Sequence, residues 1–288
     1  MKLRAKTKES LVGYSFISLW IIGFLVFTLI PIARTAFLSF NKVKVTTEGI
    51  KTTFVGIQNY KDALLMDVQF VDNLIAYTGE IIIYLPIIIV FSLAMALMLN
   101  MDIKGKGFFR TIFFLPVIIT SGPVIQKLIE KGATSIPSIT NLIESGIITQ
   151  AVPGTLGTII TTVLSSFIVI LWFSGVPILI FIAGLQKVDK AVYEAASIDG
   201  ASKWESFWKI TLPALNPMMI LNVVYTVITI SMFSLNKVII HIQNKSFDDK
   251  WGLGYAAAMS WIYFVVLLVI LGVFVLLVKS KSDKKRKS

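Results

Sequence analysis

The sequence predicts an all-α integral membrane protein with six transmembrane helices, and three observations carry that reading. Apolar residues make up 56% of the 288 positions and charged residues 15%, with a mean hydropathy of +0.81. A soluble domain carries nearer a quarter charged residues. The apolar residues fall in blocks of about 20 or more, the length that crosses a hydrocarbon core of about 30 Å. The basic residues, 27 against 16 acidic for a net charge of +11, lie between and beyond those blocks except for Arg110 and Lys237. Such a distribution is a topology signal and a contact with lipid headgroups, and no nucleic-acid partner is expected.

The six blocks are Leu11–Ala33, Leu74–Leu99, Phe108–Ile125, Leu156–Ala183, Met218–Ile240 and Leu253–Val278. Backbone amides in lipid must be satisfied within their own segment, so these are helices, and the alternation of a membrane barrel is absent. The third is the shortest, bounded by Arg110 and Gly122-Pro123. The first follows Lys2, Arg4, Lys6 and Lys8 and ends at Pro31-Ile32-Ala33-Arg34 without a small-residue cleavage site. It therefore reads as an uncleaved helix and not as a secretory signal.

With the N-terminus inside, 17 of the 27 basic residues become cytoplasmic and the C-terminus returns to the same side. The expected organisation is a basic N-terminus at 1–10, a membrane domain at 11–279 and a basic cytoplasmic tail at 280–288. The external stretches Arg34–Asn73 and Ile129–Thr155 are long enough to carry short helices. Pro86, Pro116 and Pro177 predict kinks.

Zero cysteines and a single histidine, His241, exclude a disulfide scaffold, a thiolate metal site and a two-histidine centre. No catalytic residue and no metal site are expected, and His241 reads as interfacial. The chain also lacks a phosphate-binding glycine loop ending in Lys-Ser or Lys-Thr.

The inner loop at 185–215 holds the strongest local signal. It reads as helix, turn, helix: a helical run at Ala191–Ser197, Gly200 suited to the left-handed end of a helix, then Ser202 and Glu205 at capping-box spacing. Trp204, Phe207 and Trp208 share one helix face, and Pro213 is expected to stop the segment. A helix lying among lipid headgroups has the same look. The small pair Ala195-Ala196 beside Glu194 favours close approach by another protein.

Glu194-Ala195-Ala196, Gly200 and Ile210-Thr211-Leu212-Pro213 resemble, without a gap, the signature loop of permease subunits in binding-protein-dependent ABC importers. Phe54-Val55-Gly56-Ile57-Gln58-Asn59-Tyr60, Ala183-Gly184-Leu185-Gln186, Asp199-Gly200-Ala201 and Gly254-Tyr255-Ala256-Ala257-Ala258-Met259-Ser260 are similar to the sugar-permease branch, the maltose and glycerol-phosphate type. Phe247-Asp248-Asp249-Lys250-Trp251 stands where that branch often has Thr-Gly-Gly-Pro, so substrate details tied to that loop do not carry over.

The resemblance implies a MetI-like permease fold in the bacterial plasma membrane. It implies a second homologous permease subunit, two ATPase subunits holding ATP and Mg, an external solute-binding protein and a carbohydrate substrate. Glu194, Ala195, Ala196, Asp199, Gly200, Leu212 and Pro213 would couple to the ATPase, and this chain would hold no cofactor of its own.

The solute path is read from polar groups inside spans, which are costly in lipid. Asn222, Tyr225, Thr226 and Thr229 fall on one face of the fifth span and suit sugar hydroxyls, although hydrogen bonding between helices would use the same residues. Glu80 is the only carboxylate placed inside a span, facing either a cavity or the wet interface. Trp172 and Tyr84 are aromatic candidates for the path or for packing. The alternatives are an importer permease for a non-sugar solute, with an oligo-uronide open within the sugars, and an ion-coupled secondary transporter. The latter would need more intramembrane acidic groups and internal repeats.

Overall fold

The computed structural model describes residues 5–46, 49–101, 137–233, 236–248 and 250–286, together with 107, 108, 111 and 127. Helix α1 (Ala5–Phe24) passes through a π turn (Leu25–Leu29) into α2 (Ile30–Ser39). A hairpin of β1 (Asn41–Thr46) and β2 (Gly49–Phe54) leads to α3 (Gln58–Leu65) and the long α4 (Val68–Asn100). Then come α5 (Pro137–Glu144), α6 (Ile147–Ala151), α7 (Thr155–Ser165) and α8 (Phe167–Leu185). The inner loop holds α9 (Lys190–Ile198), α10 (Lys203–Ser206), a second π turn (Phe207–Thr211) and α11 (Leu212–Ala214). Helices α12 (Asn216–Ser231), α13 (Lys237–Ser246) and α14 (Gly252–Arg286) follow.

Among the described residues three stretches are long and apolar enough to cross a membrane: Gly13–Ser39, Val68–Asn100 and Gly252–Lys279. Two bent pairs would add to them, Thr155–Ser165 with Val169–Leu185 at 75°, and Lys203–Ala214 with Asn216–Ser231 at 61°. The expected third span, with Pro116, lies outside the described residues apart from Phe108 and Thr111.

The stretch Arg34–Asn73 carries the short helix α3, as expected, and adds a hairpin, because β-branched Val43, Val45, Ile50, Thr52 and Thr53 suit paired strands. The fourth span bends sharply at Ser166 (φ −99°, ψ 9°), and Pro86 and Pro177, two of the expected kink positions, lie inside α4 and α8. Two local expectations are corrected. The fifth span does not run unbroken to Ile240. Helix α12 ends at Ser231, where the Asn236 amide donates to the Ser231 carbonyl at 3.1 Å and replaces a helical partner. Pro213 does not end the inner loop's second helix, because the π turn shifts the ladder before it. Leu212 N–H already reaches Phe207 O, the proline sits in the first turn of α11, and the break comes at Leu215.

The chain forms two compact units. The first joins Met1–Asn73 with Val238–Phe264. Its hairpin pairs Asn41 with Phe54 through Thr46 with Gly49. Asn59 donates to the carbonyls of Ser39 at 2.8 Å and Asn41 at 3.0 Å, and Tyr60 donates to the Ser39 hydroxyl at 2.7 Å. The start of α14 packs on the same strand: a Cβ on Gly254 would stand 1.9 Å from the Asn41 carbonyl oxygen. Thus two segments that carry the resemblance, at 54–60 and 254–260, have structural work in one unit.

Asp67 gathers a second polar cluster in this unit. It accepts from Phe70 N–H at 3.0 Å, His241 Nε2 at 2.9 Å and Tyr255 Oη at 3.2 Å, and Lys245 Nζ lies 3.9 Å away. His241 is therefore buried and paired. Burial by itself would raise the Asp67 carboxyl, but the His241 hydrogen bond, the Phe70 amide and the attraction of His241 and Lys245 hold it below its usual range.

The second unit joins Leu74–Lys237 with Val265–Ser288. Its core lies among α4, α8 and α12, with Leu85, Ala96, Ile178, Phe181, Leu215, Val223 and Val227 buried and Leu271, Phe274 and Val275 of α14 packed on them. Small residues permit the closest approaches. A Cβ on Gly184 would meet Met218 Cγ at 2.6 Å and Leu215 Cδ2 at 2.8 Å.

Candidate functional site

Two parts of the second unit hold the residues singled out from the sequence. The first is the loop from α9 to α11. Asp189 caps α9 by accepting from Ala191 N–H at 3.0 Å. The helix ends at Asp199, and Gly200 takes φ +80°, the left-handed conformation expected of it. Nothing lies within 4 Å of a Cβ built on Gly200, so the backbone angle alone selects glycine. Ser202 and Glu205 form the complete capping box. Trp204, Phe207 and Trp208 form one cluster with ring centroids 5.1–6.1 Å apart.

Exposure divides the faces of α9. Val192, Glu194, Ala195 and Ile198 are exposed, Ile198 to 87%, whereas Tyr193 and Ala196 are half-buried. The free face thus carries one carboxylate between small and aliphatic side chains. Trp204 and Trp208 are also exposed, and Leu212 and Pro213 are half-buried.

The turned-in Tyr193 was not singled out from the sequence. Its hydroxyl bonds the Thr211 hydroxyl at 2.8 Å, and Thr211 is buried in the π turn with a longer 3.4 Å contact to the Ser206 carbonyl. The sequence signal was available, because Tyr193 lies three residues before Ala196 on one face of α9.

The second part lies between α8 and α12. Asn222 is fully buried and donates to the Pro177 carbonyl at 3.2 Å. Its Oδ1, the Thr226 Oγ1 and the Trp172 Nε1 are buried atoms without a hydrogen-bond partner. Buried polar groups are nearly always paired, and these three, on two packed helices, are an acceptor, a hydroxyl and an N–H donor that the protein itself leaves unsatisfied. Tyr225 and Thr229 are half-buried, and the Thr229 hydroxyl donates to the Tyr225 carbonyl at 2.8 Å within the helix.

Tyr84 pairs with Ser166 at the bend between α7 and α8. Glu80 is half-buried on α4 and feels the charge of Lys237. Among the described residues no three His, Asp or Glu side chains converge as metal ligands.

Residues 62–282 match the family described as the binding-protein-dependent transport system inner membrane component. The chain is 31% identical to the probable ABC transporter permease protein YesP of Bacillus subtilis, over 98% of this chain and 94% of that one. It is 33% identical to the multiple sugar-binding transport system permease protein MsmF of Streptococcus mutans, over 71% of this chain and 69% of the relative. In fold it is similar to a chain in the crystal structure of a bacterial ABC transporter involved in the import of the acidic polysaccharide alginate. That similarity has a TM-score of 0.60 at 20% identity and covers 97% of each chain. This chain belongs to the family of inner membrane components of binding-protein-dependent transport systems.

Proposed function

We propose that the chain is the transmembrane permease subunit of an ATP-driven importer and forms half of the pathway for a sugar or oligosaccharide. The observation that carries this reading is the family match across the membrane region, joined to the sugar-transport relative. The orphaned groups of Trp172, Asn222 and Thr226 support a carbohydrate: all three are uncharged, and together they offer donors and an acceptor for hydroxyls. Tyr225, Thr229, Glu80 and Tyr84 complete the candidate path.

A second homologous permease completes the pathway, two ATPase subunits bind ATP and Mg, and an external protein delivers the solute. This chain performs no catalysis and holds no cofactor. It crosses the bacterial plasma membrane six times with both termini inside. Glu194, Ala195, Ala196, Asp199, Gly200, Leu212 and Pro213 form the element that couples to the ATPase, whose closure rocks the helices between inward- and outward-open arrangements.

Affinity purification of the chain from its own membrane tests this reading. An ATPase and a second permease should accompany it. Deleting the chain should abolish uptake of the sugar held by its binding protein, and collapsing the proton gradient at constant ATP should leave that uptake intact. Uptake that follows the ion gradient would overturn the proposal.

A further inference from the structure

We infer that Tyr193 and Thr211 form the strut that carries displacement of α9 into α12, an inference that rests on the importer reading above. The loop at 185–215 leaves α8 and enters α12 where Gly184 is pressed against Leu215 and Met218. Within the loop, a push on the exposed face of α9 reaches α12 either along the chain or across it. The direct sequence route passes through Gly200 at φ +80° and an exposed turn.

The Tyr193–Thr211 hydrogen bond bypasses that turn. It joins the inner face of α9 to a buried residue four positions before Leu215, where α12 takes its new direction. The π turn places it there. Its shifted ladder, with Leu212 N–H bonded to Phe207 O, puts the hydroxyl of Thr211 within reach of both Tyr193 and the Ser206 carbonyl. Tyrosine suits a strut because its ring has few rotatable bonds and its polar atom is at the tip. Phenylalanine would keep the packing and lose only the bond. Tyr193 and Thr211 are thus positioning residues: they act on the pathway through α12 and touch no solute.

The chain has no cysteine, so in a complex whose other subunits have had any cysteine replaced, spin labels at Ile198→Cys and Leu221→Cys, both exposed, report the α9–α12 distance alone. The complex purified with its ATPase subunits is measured without nucleotide and trapped with ATP and vanadate. With the strut intact, one narrow distance should persist in both states. Tyr193→Phe and Thr211→Val should each add a second population, shifting the balance about twofold to tenfold, the range for loss of one neutral hydrogen bond. The double variant should go no further than either single one, and Thr211→Ser should restore the single distance.

Unchanged distances in both states for Tyr193→Phe and Thr211→Val, with the ATPase still bound, would overturn the strut and leave the importer reading standing. Loss of the ATPase from Tyr193→Phe alone would make the residue a docking contact and also overturn it. Failure of the unaltered chain to retain any ATPase would remove the importer reading and the strut with it.

Discussion

Gly254 lies so close to Asn41 that a Cβ on the glycine would stand 1.9 Å from the asparagine's carbonyl oxygen. The obstructing atom is backbone in β1, whose strand is held through Thr46 by pairing with β2 and by Asn59. Gly254→Ala should therefore displace the strand or the start of α14, at a cost of about 1–3 kcal/mol typical of overpacking. The thermal midpoint of the detergent-purified chain, followed by tryptophan fluorescence, measures this. Gly272→Ala, with nothing within 4 Å of the added Cβ, should leave the midpoint unchanged.

Asp67 makes the stability of the first unit depend on acid. Its carboxyl is held below the usual range, so it binds protons more weakly folded than unfolded. That contribution is complete above the ordinary carboxylate pKa of about 4 and is lost as pH falls through the lower folded value. The melting midpoint should fall less steeply below about pH 4 in Asp67→Asn than in the unaltered chain. At pH 7 the variant should be less stable by about 1–3 kcal/mol, from weakened charge-assisted bonds to His241 and Tyr255. Parallel acid limbs in the two proteins would argue against this role.

The orphaned polar atoms lead to a contrast between stability and transport. Thr226→Val keeps shape and removes a hydroxyl that has no partner, so the midpoint should hold or rise. Sugar uptake should fall about tenfold if a hydroxyl–solute bond of about 1.4 kcal/mol is lost. Trp172→Phe should behave in the same way. Uptake unchanged in both variants would assign the orphans to helix packing.

Gly200 is a conformational requirement without a steric one. Gly200→Val should cost about 1–2 kcal/mol in the left-handed region and weaken coupling, whereas Gly200→Asn should retain most activity. Solute-stimulated ATP hydrolysis and uptake, measured on the same membranes, should fall together in the valine variant. Equal loss in both variants would point to a surface role for the glycine.

What could be read from the sequence was what neighbouring residues decide among themselves. Ser202 and Glu205 cap a helix from three positions apart, and Gly200 ends one by its own backbone freedom. Hydropathy located both ends of Gly252–Lys279 and the far end of Val68–Asn100, but it put the start of the latter at Leu74, because Gln69, Asp72 and Asn73 interrupt the apolar run. The bond between Asp67 and His241 spans 174 positions, and no local period announces it. The breaks at Ser166 and after Ser231 were passed over although Thr161, Thr162, Ser165, Ser166, Asn236 and Lys237 lie beside them, because hydropathy averaged over a span's length absorbs a few polar residues. The polar stripe of Asn222, Tyr225, Thr226 and Thr229 was legible in its spacing on one helix face, and Trp172 as a lone aromatic candidate. The unpartnered atoms of Asn222, Thr226 and Trp172 emerged only once α8 and α12 were packed together.

The close contact at which the inner loop departs and returns, Gly184 against Leu215 and Met218, has an evolutionary consequence. A segment whose two ends meet is a cassette. On the proposed function, its outward side chains can drift to fit a different motor without disturbing the helices that handle the cargo, provided both ends still meet at that glycine. Recognition of the engine and recognition of the freight would then diversify at separate rates within one gene. Swapping residues 185–215 between two relatives is the exchange that such an arrangement permits.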